Sequence, residues 1–582
     1  MLTALYKFWK LLSRDRKVGF FFISILMIFG SFAELLSIGA VFPFIAFLTS
    51  PSIILESSFA QSNPWLFENF EITDLLFFSS VTFIVLTLLS GFIRLSVLFI
   101  TTRYSLKTAM IVNDQIFRRT LFQPYLDHTK SNSSQTVSAL TTKSNQVCFN
   151  ILLPCLNSIN SLLQLFIISL TLIIIDPITS LAAFSLFGLM YILIVQFSKK
   201  RLAEDGKRMA SEQQKLVKHM QEALGGIKDL IINNNQEKYL DYFKNSDKNF
   251  KEAQGMSIII ADSPRFIVET IGIVIIIVIA YWLSVTSDSL AIVVPVLGTI
   301  ALGAQRLLPI IQLTFRSWAY IKAGIPSLED LIIMLNKEDH SQSLVKQKEI
   351  KFTKNVKFNN VYFKYDNDSN KWILSNVCLE INKGEIIGIY GETGSGKSTF
   401  IDLFSGLILP SKGEILVDSD QLNINIDKSW KEKLTYVPQS IFLIDASIRE
   451  NILFGNEEKE FDEAKFNSVI EKAQLNQVIS KLPDGIESIV GERGLSLSGG
   501  ERQRIGIARA LYRDTDVMIF DESTNSLDME TEKKIINEII KYKGQKTILM
   551  IAHRLSTLNE CDRFYNVLDG NVLEDKSFLT NE

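Results

Sequence analysis

Cysteine and histidine are scarce in this chain, with four residues of each type among 582. The cysteines show no metal-ligand spacing and are too few for a disulfide framework. Cys148 and Cys155 lie in an apolar stretch, where we expect them to pack as small apolar side chains. A strong charge of either sign is also missing, since the formal net charge is −3. The composition therefore gives no indication of nucleic-acid binding.

Long uncharged runs are what the chain has in abundance, and hydrophobic residues make up 47% of it. About 20 consecutive apolar residues suffice to cross a bilayer. Six runs of this length in one chain predict membrane spans rather than buried helices of a soluble protein. The first run is also far longer than the core of a signal peptide. The predicted spans are about 18–49, 75–101, 147–175, 178–198, 266–283 and 290–312.

Lysine and arginine are distributed unevenly around these runs. The segment 50–74 and the breaks at Asp176 and Asp288 lack both, whereas the N-terminal tail and the segments 102–146 and 199–260 are rich in them. The positive-inside rule places the N-terminus, both long segments and everything after residue 312 in the cytoplasm. Residues 103–122 and 199–221 are predicted to continue the spans as helices, with turns near Asp127–Ser134 and Gly225–Lys228 that contact a cytoplasmic partner.

The composition changes after residue 335. Residues 336–350 are polar and charged, which predicts a linker. Residues 351–582 alternate short strands with helices, as a soluble α/β domain does. The chain is thus predicted to carry a transmembrane domain at 1–335 and a cytoplasmic domain at 351–582.

A glycine-rich motif stands between a predicted strand at 386–390 and a predicted helix at 399–407. It has the G-x-x-x-x-G-K-S pattern, whose backbone N–H groups wrap a polyphosphate at a helix N-terminus. Lys397 is predicted to contact the β- and γ-phosphates, and Ser398 to ligate Mg²⁺. ATP and Mg²⁺ are therefore the expected cofactors. The predicted ATP-binding residues here are Gly391, Glu392, Thr393, Gly394, Ser395, Gly396, Lys397, Ser398 and Thr399.

A second apolar strand pattern, at 517–520, ends in two carboxylates. Asp521 is placed to hold Mg²⁺, as the aspartate at the end of this strand does in P-loop NTPases. Glu522 follows it, where a carboxylate can polarise the attacking water. The pair is a weak signal alone and a strong one downstream of a phosphate loop.

A third motif decides the family. Leu497-Ser498-Gly499-Gly500-Glu501 resembles the signature of ATP-binding cassette (ABC) proteins, usually LSGGQ, with Glu501 in place of glutamine. The resemblance implies further roles: adenine stacking by Tyr365, Mg²⁺ and membrane-domain contact by Gln439, a D-loop at 526–528 and a γ-phosphate contact by His553. Gly491–Gly494 resembles the exporter-type loop before the signature.

The resemblance implies six transmembrane helices in the type IV ABC exporter fold, followed by a cytoplasmic α/β P-loop nucleotide-binding domain. In this family ATP lies between the phosphate loop of one cassette and the signature of another. A chain with one of each is expected to work as a homodimer, an ATPase coupled to transport, with Glu522, His553 and Gln439 as catalytic residues. The alternative that the cassette only gates a channel or regulates a partner is disfavoured by Glu522 and His553.

The cargo is indicated by charges within the spans. Arg94, Arg265 and Arg306 lie at similar depth toward the cytoplasmic leaflet, counted from the outer helix ends. Intramembrane charges are costly and mark a pathway by default, and arginines suit a phosphate or pyrophosphate group. The alternative is anchoring by snorkelling side chains. The external segment 50–74 mixes apolar and acidic residues, and is predicted to form either an amphipathic surface helix or a packed loop.

Short stretches in the first, fifth and sixth spans are similar to bacterial lipid-linked oligosaccharide flippases of the PglK type. They are Ser31–Glu34, Phe42–Phe44, Pro264-Arg265 and Arg306–Pro309. This resemblance implies transport of a polyprenyl-pyrophosphate glycan to the periplasmic face of the bacterial inner membrane. An exporter of lipid A, drugs or peptides with the same architecture is the alternative.

Overall fold

The computed structural model describes residues 1–40, 44, 72–175, 177–286, 290–340, 350–365, 371–423, 428–456, 461–491, 494–552 and 558–576. Its contacts divide the chain into two compact units. The first combines Met1–Leu121 with Ser131–Glu338, and the second combines Phe122–Lys130 with Asp339–Glu582. Most of the external segment 50–74 and the residues Asp176, Asp288 and His553 lie outside the described residues.

Helices build the first unit, and six long helices of the described residues overlap the predicted spans. They follow an N-terminal helix α1 (Leu2–Leu11): α2 (Arg14–Gly39), α3 (Ile72–Leu121), α7 (Leu153–Ile175), α8 (Pro177–Gly225), α10 (Gln236–Thr286) and α11 (Leu290–Leu335). Most of residues 40–49, at the end of the first predicted span, lie outside the described residues. Within the described residues, Arg14–Ser37, Thr73–Leu121 and Ser133–Leu170 are long and apolar enough to cross a membrane. Pro177 begins α8, where its missing N–H is of no consequence.

Short elements join the long helices. These are α4 (Tyr125–Lys130), α5 (Ser133–Ser138), α6 (Ser144–Val147), α9 (Ile227–Ile232) and two π-helical turns at Ala139–Lys143 and Cys148–Leu152. Helices α3 and α8 run for 50 and 49 residues and include nearly all of the proline-free segments 103–122 and 199–221. At about 1.5 Å per residue such a helix is about 75 Å long, far more than the ~30 Å of a bilayer core.

A polar junction joins three helical segments of the first unit. The Gln146 amide donates to the Gln213 side chain at 2.9 Å and accepts from Ser327 at 2.6 Å. Buried Lys143 forms an ion pair with Asp330. Three helical segments are therefore tied together by satisfied polar groups, which specify their relative register.

Two sheets form the second unit. An antiparallel sheet has the order β2-β1-β4-β5 and a larger sheet the order β10-β9-β3-β8-β7-β6, counted over the described residues. The larger sheet is parallel from β9 to β6, with β10 antiparallel at its edge. The strands are β1 (Asn355–Phe363), β2 (Leu374–Asn382), β3 (Ile386–Gly391), β4 (Lys412–Val417), β5 (Asp420–Gln421), β6 (Leu434–Val437), β7 (Val517–Asp521), β8 (Thr547–Ile551), β9 (Arg563–Leu568) and β10 (Asn571–Glu574).

Helices cover the larger sheet on both faces, as parallel sheets require. They are α12 (Lys397–Phe404), α13 (Lys428–Glu432), α14 (Ile448–Leu453), α15 (Glu463–Lys472), α16 (Asn476–Ile479), α17 (Gly499–Arg513) and α18 (Met529–Ile540). Trp430 is fully buried beneath α12, and its indole N–H donates to the Phe404 carbonyl at 3.0 Å. Side chains of β3 and β7 pack into two hydrophobic cores. This packing fixes both strands, whose carboxyl ends carry the phosphate loop and the Asp521-Glu522 pair.

The segment Phe122–Lys130 belongs by its contacts to the second unit, although the sequence assigned it to the transmembrane domain. Leu126 packs against the core that includes Phe400 and Phe404. Burial raises the pKa of Tyr125, and the neighbouring Asp402 carboxylate adds to this effect. The turn that the sequence placed at Asp127–Ser134 consists of most of α4 and the start of α5, joined at residues 131–132.

Candidate ATP-binding and hydrolysis site

The phosphate loop connects β3 to α12 through backbone conformations that favour glycine. Gly391, Gly394 and Gly396 have φ values of 149°, 84° and 111°. A Cβ atom on Gly391 would lie 2.3 Å from the Val567 carbonyl oxygen of the neighbouring strand. The loop therefore needs glycine both for its left-handed turns and for its close approach to β9.

Polar groups inside this loop fit a polyphosphate. Lys397 is 7% exposed, and its ammonium group donates to the carbonyls of Gly391 and Glu392 at 2.8 and 2.9 Å. The enclosed Ser395 hydroxyl has no hydrogen-bond partner among the described residues. A phosphate would give this hydroxyl an acceptor and the ammonium group an anion, so the loop suits the ligand that the sequence predicts.

Asp521 ends β7 and accepts a hydrogen bond from the Tyr436 hydroxyl at 2.8 Å. Burial raises the pKa of Asp521 and the adjacent Glu522 adds to it, against opposing effects of Tyr436 and Lys397. No group of three His, Cys, Asp or Glu side chains suited to a metal occurs in the described parts of the chain. The residues predicted to hold Mg²⁺ together with phosphate oxygens are Ser398, Asp521 and Gln439, and such an ion would neutralise phosphate charge.

Glu522 is held by several contacts just beyond the strand. Its φ of 47° is uncommon for a residue other than glycine, and its N–H donates to the Ile551 carbonyl at 3.0 Å. Its carboxylate accepts from the Gln439 amide at 2.6 Å and from the Asn525 amide at 3.1 Å. Strained backbone of this kind occurs at active sites. The carboxylate that the sequence predicts as general base is therefore fixed in position by Gln439.

The signature motif forms the start of α17. Ser498 caps the helix by accepting from the Glu501 N–H, while the Glu501 carboxylate accepts from the Ser498 N–H and hydroxyl at 2.7 and 2.8 Å. Burial alone would raise the pKa of Glu501, but these hydrogen bonds, together with the charges of Arg504 and Lys481, hold the pKa below its usual value. Glu501 thus completes a capping box, a role that the Ser-x-x-Glu spacing supports.

The D-loop, residues 526–528, packs on the same helix. The Ser526 N–H donates to the buried Gln503 side chain at 3.0 Å. A Cβ on Gly500 would lie 2.9 Å from the Ser526 carbonyl oxygen. Gly500 therefore permits the contact that joins the signature to the segment following Glu522.

Of two further predicted residues, Tyr365 lies beside the phosphate-loop helix α12. The Tyr365 hydroxyl lies 3.1 Å from the Thr399 hydroxyl, and its ring packs edge-on against Phe363. Tyr365 is 41% exposed, which leaves ring surface accessible for an adenine. His553 lies outside the described residues, so its role remains a prediction.

The sequence missed Tyr436, Asn525, Gln503 and Asp402. The first three act through hydrogen bonds to residues named above. Asp402 lies on α12, where burial and the nearby Asp521 charge raise its pKa to about 6. No motif identified them. The contacts of Tyr436 and Gln503 join segments that only the fold brings together, whereas Asn525 contacts Glu522 only three residues away.

The intramembrane arginines are partly paired with acids. Arg94 lies 3.7 Å from Glu34, which also accepts from the Gln164 amide at 2.7 Å. Arg265 lies 3.9 Å from Glu269 one turn along α10. Arg306 belongs to α11, and its side chain lies outside the described set.

The fold and this site define a membrane-embedded P-loop nucleotide-binding protein, and comparisons with known proteins narrow the class. Residues 374–525 match the family described as ABC transporter, and residues 32–299 match the ABC transporter transmembrane region. A solved structure of a bacterial Atm1-family ABC exporter with ATP bound superposes with a TM-score of 0.76. The superposition covers 97% of this chain and 95% of the exporter chain. The two sequences are 20% identical, a level at which only the fold is shown.

Curated relatives include the leukotoxin export ATP-binding protein LtxB of Aggregatibacter actinomycetemcomitans, 40% identical over 220 residues, 38% of this chain and 31% of the relative. The leukotoxin translocation ATP-binding protein LktB of Mannheimia haemolytica is 36% identical over 276 residues, 47% and 38% of the two chains. This chain thus spans about a third of the length of these relatives. The chain therefore belongs to the ABC transporter family: a transmembrane domain of the type IV ABC exporter fold is followed by a P-loop nucleotide-binding domain of the kind that uses ATP with Mg²⁺.

Proposed function

We propose that two copies of this chain form a transporter in which ATP hydrolysis drives export. The observation that carries this proposal is the arrangement around Glu522. A buried carboxylate is fixed by Gln439 next to Asp521, beyond a phosphate loop with an enclosed lysine. Such a carboxylate can take a proton from water, and the loop can orient a polyphosphate.

The homodimer is supported by a surface of the first unit. Ile227, Ile231 and Ile232 of α9, beside the Gly225-Gly226 turn, are 46%, 55% and 65% exposed. Leu126, at the other cytoplasmic turn, instead packs against a core. Three isoleucines on one short helix leave apolar surface that a second copy would cover. Each ATP would then lie between the phosphate loop of one copy and the Ser498–Glu501 signature of the other.

For the cargo, we propose a polyprenyl-pyrophosphate-linked oligosaccharide, moved from the cytoplasmic to the periplasmic leaflet of a bacterial inner membrane. Support comes from the charged side chains on helices that contain predicted spans. Arg94 and Arg265 each have an acid as neighbour at 3.7 and 3.9 Å, so the cations are neutralised when no anion is present. An incoming pyrophosphate can exchange with these acids, because guanidinium groups bind phosphate through paired hydrogen bonds.

A second cargo class is favoured by the comparisons. LtxB and LktB are named for leukotoxin export and translocation, which supports a peptide or protein cargo. Lipid A and drugs remain further candidates for the same architecture. The intramembrane arginines favour a lipid anion, since a peptide exporter has no general need for them.

The test is reconstitution of the full chain in proteoliposomes with a fluorescent polyprenyl-pyrophosphate glycan in both leaflets. We expect ATP to deplete the glycan on the leaflet facing the nucleotide-binding domains, and Glu522→Gln to prevent this. A fluorescent phosphatidylcholine serves as the control lipid. ATPase activity without any glycan movement would contradict the cargo, and absence of ATPase activity would contradict the motor itself.

A further inference from the structure

A cavity of about 430 Å³ opens among α8, α10 and α11 of the first unit. Polar residues of all three helices line it: Tyr191 from α8, Asp262 and Arg265 from α10, and Gln312 and Arg316 from α11. This volume lies in the range of small-molecule sites, which are typically ~300–1,000 Å³. Only Arg265 among these residues was singled out by the sequence.

Charge in the cavity wall favours an anionic occupant. The wall carries two guanidinium groups and one carboxylate, with Arg316 Nε 3.1 Å from Asp262 Oδ1. Arg265 has its acidic neighbour Glu269 at 3.9 Å, with 64% of the Arg265 side chain and 52% of the Glu269 side chain exposed. Exposed pairs of this kind are weak and easily exchanged. The guanidinium donors therefore remain available to a phosphate.

Tyr191 supplies an unused hydrogen-bond donor in the same wall. The residue is 7% exposed, and its ring centroid lies 5.7 Å from that of Phe315. Its hydroxyl is enclosed and has no hydrogen-bond partner among the described residues. Buried hydroxyls are nearly always satisfied, so a donor left unused by the fold indicates a ligand or a bound water.

Depth along the helices places the cavity near lipid headgroups. Arg265 lies 21 residues before the end of α10 at Thr286. At about 1.5 Å per residue this is ~32 Å, close to the ~30 Å thickness of the hydrocarbon core. With Thr286 at the outer surface, the cavity lies at the level of the cytoplasmic headgroups.

We propose that this cavity binds the pyrophosphate group of the cargo before it crosses the membrane. Arg316 and Arg265 provide the positive charge, and the Tyr191 hydroxyl and Gln312 amide donate hydrogen bonds. This inference rests on the proposed lipid cargo. Free pyrophosphate offers the same chemistry as a lipid headgroup, so the test separates the two sources.

The test measures equilibrium binding of radiolabelled farnesyl pyrophosphate to the full chain in nanodiscs without nucleotide. Every protein carries Lys397→Ala, which removes anion binding at the phosphate loop. We expect Arg316→Gln to weaken binding about tenfold or more, the scale of a lost charged hydrogen bond. Arg208→Gln is the matched control, because Arg208 forms a similar ion pair with Glu252, with 3.4 Å between the charged atoms. This pair is not part of the cavity wall. The control variant should bind as the parent does.

Tyr191→Phe separates a ligand contact from a structural role. The variant should bind about fivefold more weakly yet melt no lower than the parent, because the lost hydroxyl has no partner in the free protein. Lower thermal stability with unchanged affinity would overturn the role of Tyr191. Unchanged affinity of Arg316→Gln, or equal displacement by farnesol, would overturn the anion site.

Competition with inorganic pyrophosphate identifies the source of the anion. We expect it to displace the probe far more weakly than unlabelled farnesyl pyrophosphate, and equal displacement would overturn the lipid source. If only the proposed function fails, glycan movement is absent in the proteoliposomes. Farnesyl pyrophosphate still binds in that case, and Arg316→Gln still weakens its binding. If glycan movement occurs and neither variant changes binding, the cavity assignment fails alone.

Discussion

Asp402 offers a quantitative test of the electrostatics beside the phosphate loop. Burial and the Asp521 charge raise its pKa to about 6, from an ordinary value of 3.8. The folded state therefore binds the Asp402 proton more tightly than the unfolded state does. Folding loses stability as the pH rises through this interval, and the loss is complete above pH ~6. Replacing Asp402 by asparagine removes that loss.

The size of the effect follows from the shift. About two pKa units correspond to ~3 kcal/mol at neutral pH, which solvent screening of this partly exposed side chain reduces to ~1–2 kcal/mol. For a unit of this size each kcal/mol moves the melting temperature by ~2–4 °C. Asp402→Asn should raise it by ~2–8 °C at pH 7.5, and by about half as much at pH 5.

The assay is thermal unfolding of the full chain in detergent with EDTA and without nucleotide. Hydrogen exchange of peptides covering Lys397–Phe404 reports on this unit separately. Asp418→Asn is the control, and it should lower the melting temperature instead of raising it. Hydrogen bonds from Thr353, Lys354 and Asn355 outweigh burial and lower the Asp418 pKa. A destabilised Asp402→Asn protein at pH 7.5, or a gain independent of pH, would refute the reasoning.

Three further predictions concern the catalytic domain. Glu522→Gln should lower ATP turnover by ~10²–10⁴-fold because the general base is lost, while binding of a fluorescent ATP analogue persists; turnover near normal would remove Glu522 from this role. Tyr436→Phe removes the hydrogen bond to Asp521. It should raise several-fold the Mg²⁺ concentration that gives half-maximal ATPase activity. An unchanged Mg²⁺ titration would show that this hydrogen bond is dispensable. Trp430→Ala should cost ~3–5 kcal/mol, measured by urea unfolding, and a loss below ~1 kcal/mol would contradict tight packing there.

Local patterns predicted the motifs and their supporting elements well. The phosphate loop needs only glycine spacing between a strand and a helix, and both elements are found at Ile386–Gly391 and Lys397–Phe404. The break at Pro177 follows from the chemistry of proline alone. These features depend on neighbours within a few residues, and the sequence contains that information.

Contacts between distant segments were beyond the sequence. Gln439 and Glu522 are 83 residues apart, and their hydrogen bond depends on the parallel pairing of β6 with β7. Counting residues gave the depth of Arg94 and suggested Glu34 as a possible partner, but the 3.7 Å distance between the two side chains comes only from the fold. The Glu501 capping box, in contrast, is local, and the Ser-x-x-Glu spacing alone is sufficient to predict it.

The position of Lys397 bears on the timing of the transport cycle. Its ammonium group is held by the carbonyls of Gly391 and Glu392, so the loop has internal partners when no phosphate is near. Capture and release of nucleotide then require a side-chain rearrangement rather than refolding of the loop. Such rearrangements are far faster than the microsecond-to-millisecond motions of whole domains. The phosphate loop itself therefore imposes no slow refolding step on nucleotide exchange.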